Sequence, residues 1–181
     1  DAGHILGSAQ VILDILDSST GKQQRLLFSG DVGRPNSDLL DDAEPCEGVD
    51  YVIMESTYGG RKHEMAARTS EHICEIINNA IQRHGKVIIP AFAVERTQQL
   101  LYTLDKLSAE KCIPKVPTYV DSPLAVHATN IFRLHMDSLK PAVREALFMQ
   151  RDPFGFDGLT LIRERNDSQK LNSLQGPAII I

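Results

Sequence analysis

The sequence predicts an α/β fold: an antiparallel hairpin followed by a mostly parallel sheet covered by helices on both faces. From residue 50 onward, short apolar runs alternate with stretches of helical period, which is the pattern of βαβ units. Before residue 50, two strand-like runs lie on either side of a turn-rich segment. The 181 residues, 42% of them hydrophobic, can bury the core of one domain or of one and a half.

The first three strands are predicted from apolar runs bounded by turn residues. AQVILDIL at 9–16 and RLLFS at 25–29 are strand-like, and the SSTGKQQ segment at 18–24 joins them into a hairpin of an antiparallel sheet. DYVIME at 50–55 is a further short apolar strand.

Helices and strands then alternate. Apolar residues at helical spacing predict a helix that ends near Gly85. This stripe consists of Ile73, Ile76, Ile77, Ala80 and Ile81. KVIIP at 86–90 is a strand, and a second apolar stripe predicts a helix over about 94–107. The second stripe consists of Leu100, Leu101, Leu104 and Leu107.

The next helix has a clear starting signal. VPTYVD at 116–121 predicts a strand, and Ser122 with Pro123 is the N-cap and first-turn proline of the helix that follows. Ser138 before KPAVREALF predicts another helix.

The last elements are short. LTLIR at 159–163 and PAIII at 177–181 predict strands, and Asp167 or Ser168 is expected to cap a short helix between them.

Composition excludes several classes of protein. The net charge of -5 argues against a uniformly basic nucleic-acid coat, although it leaves a local basic groove open. The cysteines, Cys46, Cys74 and Cys112, are odd in number and form no CxxC, so we expect neither a disulfide framework nor a cysteine zinc site. Unpaired cysteines favour a reducing cytoplasm. We expect no membrane span, since no apolar run approaches about 18 residues, and no signal-peptide pattern begins the chain.

Three polar side chains lie next to predicted strands. His4 precedes the first strand in a glycine-flanked loop, Asp31 follows the second, and Glu55 ends the third. A hairpin can bring an imidazole and a carboxylate to one rim of a sheet, and both are zinc ligands. Taken singly, each has a simpler explanation: a surface histidine, a turn aspartate and a capping carboxylate.

Five motifs in order resemble one family. They are GHILGS at 3–8, FSGDVGR at 28–34, MESTYG at 54–59, IPAFAVERTQQLLY at 89–102 and YVDSPLA at 119–125. In this order they resemble the metallo-β-lactamase-fold nucleases of the β-CASP group, which include ribonuclease J and the polyadenylation endonuclease. The resemblance implies the end of a metallo-β-lactamase αββα core at 1–58 and a β-CASP domain at 59–181.

The same resemblance implies a two-zinc phosphodiesterase that cuts single-stranded RNA in RNA processing or decay. His4 corresponds to a ligand of one zinc and Asp31 to the carboxylate that bridges both. Together the two zinc ions lower the pKa of a bridging water, which then attacks the phosphate. By the same resemblance, Glu55 corresponds to the acid that orients a downstream histidine, and this histidine protonates the leaving oxygen.

The family's HxHxDH motif and its later histidines do not occur in this sequence. We therefore expect a piece of a longer protein, cut at both ends. With only His4 and Asp31 as donors, this piece is expected to be inactive and to hold zinc poorly, because zinc sites use about three or four protein ligands.

Substrate contacts are expected where strands lead into helices. The AFAVERTQQ segment opens a helix, whose N-terminal amides attract phosphate. Arg96 and Gln98 add side-chain contacts there, and Ser122 occupies an equivalent position after the next strand. Alternatively, Arg96 pairs with a nearby acid such as Glu95. For Asp121 we favour a structural role.

Other functions remain open at this point. The protein is alternatively an inactive scaffold subunit of an RNA-processing complex, or a DNA nuclease of the same superfamily. Whether it cuts internally or from an end, and whether it forms a homodimer, is also left open.

Overall fold

The computed structural model describes residues 1–62, 66–149 and 151–181. The chain divides into two compact units. Unit 1 comprises Asp1–Lys62 with Ser138–Lys140, and unit 2 comprises His63–Asp137 with Pro141–Ile181.

Unit 1 is built on a three-stranded sheet of order β1-β2-β3, formed by Val11–Leu16, Gln23–Phe28 and Tyr51–Ile53. β1 and β2 pair in antiparallel fashion, which confirms the predicted hairpin. β3 pairs parallel to β2, so the sheet that contains the hairpin is mixed and not wholly antiparallel. The long connection between β2 and β3 permits a parallel return, which a short hairpin loop cannot provide.

The turn of the hairpin is held by one carboxylate. Asp17 accepts hydrogen bonds from the hydroxyls of Ser19 (2.6 Å) and Thr20 (2.7 Å) and from the backbone amide of Ser19. These bonds favour the ionised carboxylate and lower the pKa of Asp17 to about 2. The turn residues of the sequence therefore act through a specific network.

Unit 2 is an α/β unit with a parallel sheet of order β4-β7-β5-β6. This arrangement confirms the predicted fold class. The helices and strands in chain order are α1 Ala66–Gln82, β4 Lys86–Ile88, α2 Arg96–Ala109, β5 Thr118–Val120, α3 Pro123–Leu134, α4 Pro141–Phe148, β6 Leu159–Leu161, α5 Arg165–Leu171 and β7 Ala178–Ile180.

The helix starts follow the sequence signals in one case and depart from them in another. The Ser122 hydroxyl accepts the Ala125 amide at 3.2 Å, which confirms it as the N-cap of α3. α5 has Glu164 at its N-cap position with no side-chain cap, so the prediction of a cap at Asp167 or Ser168 is wrong. The Ser168 hydroxyl instead donates to the Asp121 carboxylate at 2.8 Å, consistent with a structural role for Asp121.

The core of unit 2 forms where α1 and α2 cover the sheet. It contains Ile77, Leu104, Leu107, Ile113 and Ile179, all buried. The predicted apolar stripes of α1 and α2 supply most of this core, because residues three and four apart share one helix face. The assignment of Ile76 to the buried stripe is wrong, since this residue is 57% exposed.

A disulfide joins Cys74 in α1 to Cys112 after α2, with a Cα–Cα distance of 6.0 Å. The expectation of unpaired cysteines is therefore wrong for these two, whereas Cys46 is free. Their 38-residue separation concealed the pair, which the packing of α1 against α2 brings together. The side-chain amide of Asn78 also donates to the Cys112 carbonyl at 2.9 Å.

In the described residues, no helix has both the length and the apolar composition that a membrane span requires.

Candidate metal-binding site and substrate contacts

His4 lies in a loop that hydrogen bonds hold in place. Its backbone amide donates to the Ser8 hydroxyl at 3.1 Å, and the Ser8 amide donates to the Ile5 carbonyl at 2.9 Å. The Ala2 carbonyl accepts the amide of Gly33 at 2.8 Å, which ties this loop to the segment that follows β2. The imidazole is thus carried by an ordered loop and remains partly exposed.

Asp31 lies directly beside this histidine. The Nε2 atom of His4 and the Oδ2 atom of Asp31 are 3.9 Å apart. The Asp31 side chain is 72% exposed and the His4 side chain 38%, so both donors can be reached from solvent. The structure therefore brings together the two residues that the sequence predicted as metal ligands.

Gly33 allows the two loops to approach. A Cβ atom built on Gly33 would overlap the carbonyl of Gly3 and would lie 2.8 Å from the amide nitrogen of His4. Only glycine leaves room for this contact, because the obstructing atoms are backbone. The spacing between His4 and Asp31 therefore depends on a residue with no side chain.

The Glu55 side chain is hydrogen-bonded to the backbone of the segment that carries Asp31. Its Oε1 atom accepts the amide of Val32 at 2.9 Å, and its own amide donates to the Ser29 hydroxyl at 3.4 Å. The Ser29 amide in turn donates to the Ile53 carbonyl at 3.0 Å. Glu55 thus fixes the residue next to Asp31. Sequence reasoning missed Ser29, although its place in the FSGD motif pointed to it.

His4 and Asp31 have the donor types of a zinc site and form part of one ligand set. Zinc binds imidazole nitrogen and carboxylate oxygen, so His4 and Asp31, whose donor atoms lie 3.9 Å apart, would both contribute to holding such an ion. Among residues 1–62, 66–149 and 151–181, no group of three or more His, Cys, Asp or Glu side chains could hold a metal ion. The described residues thus offer an incomplete donor set.

Two predicted substrate contacts have exposed or half-buried side chains in unit 2. Arg96 is the first residue of α2, and its Nη1 atom donates to the Oε1 atom of Gln99 at 2.9 Å. Ser122 uses its hydroxyl on the first turn of α3. Both residues follow the carboxyl end of a strand of the parallel sheet, the edge where open α/β sheets bind ligands.

Gln98 has a different environment. Its side chain is fully buried, and its Nε2 atom donates to the carbonyls of Ala93 (3.1 Å) and Ala125 (3.3 Å) and to the hydroxyl of Thr129 (2.9 Å). This burial leaves Gln98 no surface for a substrate. We therefore assign it a structural role, joining α2 to α3, in place of the expected direct contact.

Comparison with known proteins adds to this geometry. Residues 97–181 match the family model described as the Beta-Casp domain. The chain is 32% identical over 180 residues to Ribonuclease TTHA0252 of Thermus thermophilus, covering 99% of this chain and 40% of that protein. It is 34% identical over 158 residues to the RNase J-like protein of Methanocaldococcus jannaschii, covering 86% of this chain and 36% of that protein.

A eukaryotic relative is also similar. The chain is 33% identical over 165 residues to cleavage and polyadenylation specificity factor subunit 3 of Dictyostelium discoideum, covering 90% of this chain and 20% of that protein. The chain thus spans two fifths or less of the length of these three curated relatives.

Proposed function

This chain belongs to the β-CASP family, and from that premise we propose that it is part of a metal-dependent enzyme that hydrolyses RNA. Relatives named ribonuclease, RNase J-like protein and endoribonuclease support an RNA substrate. One observation carries the proposal for this chain: the His4 imidazole and the Asp31 carboxylate lie 3.9 Å apart on two loops that are joined by a backbone hydrogen bond.

In this proposal His4 and Asp31 hold zinc, and Glu55 supports them. Zinc, when bound, would supply an activated water and neutralise charge on the phosphate. Glu55 keeps the Asp31 loop in place through the amide of Val32. The Oε2 atom of Glu55 would orient a histidine, and this histidine would donate a proton to the leaving-group oxygen of the cleaved phosphodiester.

Unit 2 would bind the RNA strand. Arg96 offers a guanidinium at the start of α2, where helix amides also attract phosphate. Ser122 lies at the equivalent place before α3. We propose single-stranded RNA as the substrate and the cytoplasm as the place of action. Whether the protein forms a homodimer stays open.

The chain by itself is expected to be inactive and to bind zinc weakly. His4 and Asp31 are two donors, whereas zinc sites use about three or four. We propose that the parts of the relatives outside the matched region supply the remaining donors. A longer polypeptide with those donors would then hold the metal and cleave RNA.

The test measures zinc content and RNA cleavage together. The longer polypeptide should bind zinc stoichiometrically and cleave a labelled single-stranded RNA, and a chelator should abolish the cleavage. We expect Asp31→Asn to lower both zinc content and cleavage by at least about 100-fold, since metal ligands and their partners carry effects of this size. Asp38→Asn, an exposed aspartate in the same unit, is the matched control and should change neither.

Three other results would contradict the proposal. Stoichiometric, tightly held zinc in the 181-residue chain would show that the donor set is complete without further residues. RNA binding without cleavage by the longer polypeptide would favour a scaffold subunit. Faster cleavage of a DNA strand of matched sequence would favour a DNA nuclease.

A further inference from the structure

Phe92 is the most exposed large apolar side chain in the described part of unit 2. It lies in the loop between β4 and α2, and it is 82% exposed. Single exposed apolar residues are common on protein surfaces. The environment of this phenylalanine distinguishes it from such residues.

Buried polar side chains hold the backbone beneath this ring. The Phe92 carbonyl accepts the Thr97 amide at 3.1 Å and the Thr97 hydroxyl at 2.9 Å. The next carbonyl, of Ala93, accepts the Gln98 amide group at 3.1 Å. Thr97 and Gln98 are almost completely buried. Hydrogen bonds from buried side chains thus hold the backbone of this loop, whereas the exposed phenyl ring buries little surface and adds little to the stability of the fold.

A cationic residue also follows the ring at the start of the next helix. Arg96 follows it by four residues and is exposed at the start of α2. An exposed aromatic ring followed by a guanidinium group matches the alternating bases and phosphates of an unpaired strand.

We propose that Phe92 is a base-stacking residue that receives one unpaired nucleobase of an RNA strand. This inference rests on the proposed function and adds the residue that selects single strands. A base can stack on the ring only when it is not enclosed in a duplex. A phenyl ring makes no base-edge hydrogen bonds, so it selects unpaired structure and is indifferent to sequence.

The experiment measures binding of a 5′-fluorescein-labelled single-stranded RNA of 12 nucleotides to this chain by fluorescence anisotropy. Phe92→Ala should raise the dissociation constant about 5- to 150-fold, the range for loss of one stacked base. Phe92→Tyr should bind like the wild type, because it keeps the ring. Phe148→Ala removes another phenylalanine, 71% exposed at the end of α4, and should bind like the wild type.

An RNA with abasic sites separates stacking from other contacts. It should bind the wild-type chain as weakly as intact RNA binds Phe92→Ala, and Phe92→Ala should not distinguish the two RNAs. Arg96→Ala, in contrast, should reduce the dependence of binding on salt, because it removes a phosphate contact. Circular dichroism should show all variants folded, since both phenylalanines lie at the surface.

The outcomes separate this inference from the proposed function. Equal binding by Phe92→Ala and wild type would overturn the stacking role and leave RNA as the substrate. No RNA binding by the wild-type chain would overturn both. A Phe92→Ala variant that changes the sedimentation of the chain but responds normally to abasic RNA would show that the ring contacts protein.

Discussion

Arg133 joins α3 to the loop before β6, and this connection yields a quantitative prediction. Its guanidinium donates to the Oδ2 atom of Asp152 at 2.9 Å and to the Phe154 carbonyl at 2.9 Å. The Oδ1 atom of Asp152 accepts the Phe154 amide at 2.9 Å. Phe154 is fully buried and meets Phe132 edge-on, with ring centroids 6.2 Å apart. The charged pair therefore holds a core aromatic in place.

The expected cost of Arg133→Ala follows from these contacts. Hydrogen bonds to charged groups contribute about 1.5–3 kcal/mol each when buried. The side chains of Arg133 and Asp152 are 27% and 36% exposed, so solvent screening reduces this contribution. We expect a loss of about 2–3 kcal/mol, equivalent to a fall in Tm of about 5–10 °C for a chain of this size.

Urea denaturation followed by circular dichroism at 222 nm is the suitable assay, because the five α-helices found in the described residues all lie in unit 2. The matched control is Lys115→Ala. Lys115 and Asp157 form an ion pair at 2.9 Å, but their side chains are 76% and 84% exposed. The control should leave the unfolding midpoint unchanged, since water screens an exposed pair.

A double-mutant cycle isolates the interaction itself. Arg133→Ala and Asp152→Ala should each destabilise unit 2, and together they should cost less than the sum of the two, with a coupling of about 1–2 kcal/mol. If Arg133→Ala and Lys115→Ala shift the midpoint equally, burial does not strengthen the inner pair and the reasoning is refuted. Additive single effects would likewise show that the two residues act separately.

Two further predictions concern unit 1. Gly33→Ala should lower its stability by about 1–3 kcal/mol, because the new methyl group overlaps the Gly3 carbonyl. Amide chemical shifts at residues 2–4 report the displaced loop, and unchanged shifts would contradict this packing. Ser19→Ala should raise the pKa of Asp17 from about 2 toward 3.8, because a hydrogen bond to the carboxylate is lost. The folded pKa lies below the unfolded one, so this stabilisation is complete above pH 3.8 and is lost as the pH falls toward 2. Carboxyl carbon NMR titration measures the shift, and an unaltered titration would exclude the network.

The local elements of this protein could be predicted from sequence because local periodicity decides them. The leucine stripe of α2 and the cap of α3 at Ser122 involve residues within a few positions of one another. The hairpin of β1 and β2 likewise depends on a short turn. For the site, the sequence singled out His4 and Asp31 by their motifs alone.

The tertiary structure decided what depends on contacts between distant segments. Nothing in the spacing of residues revealed that β3 runs parallel to β2, that Gln98 is buried against Thr129, or that Glu55 holds the Val32 amide. Each pairing joins segments more than 20 residues apart, and the cost of closing such a loop changes only slowly with its length. Chain connectivity therefore leaves many partners nearly equivalent, and only the packing of the folded chain selects one.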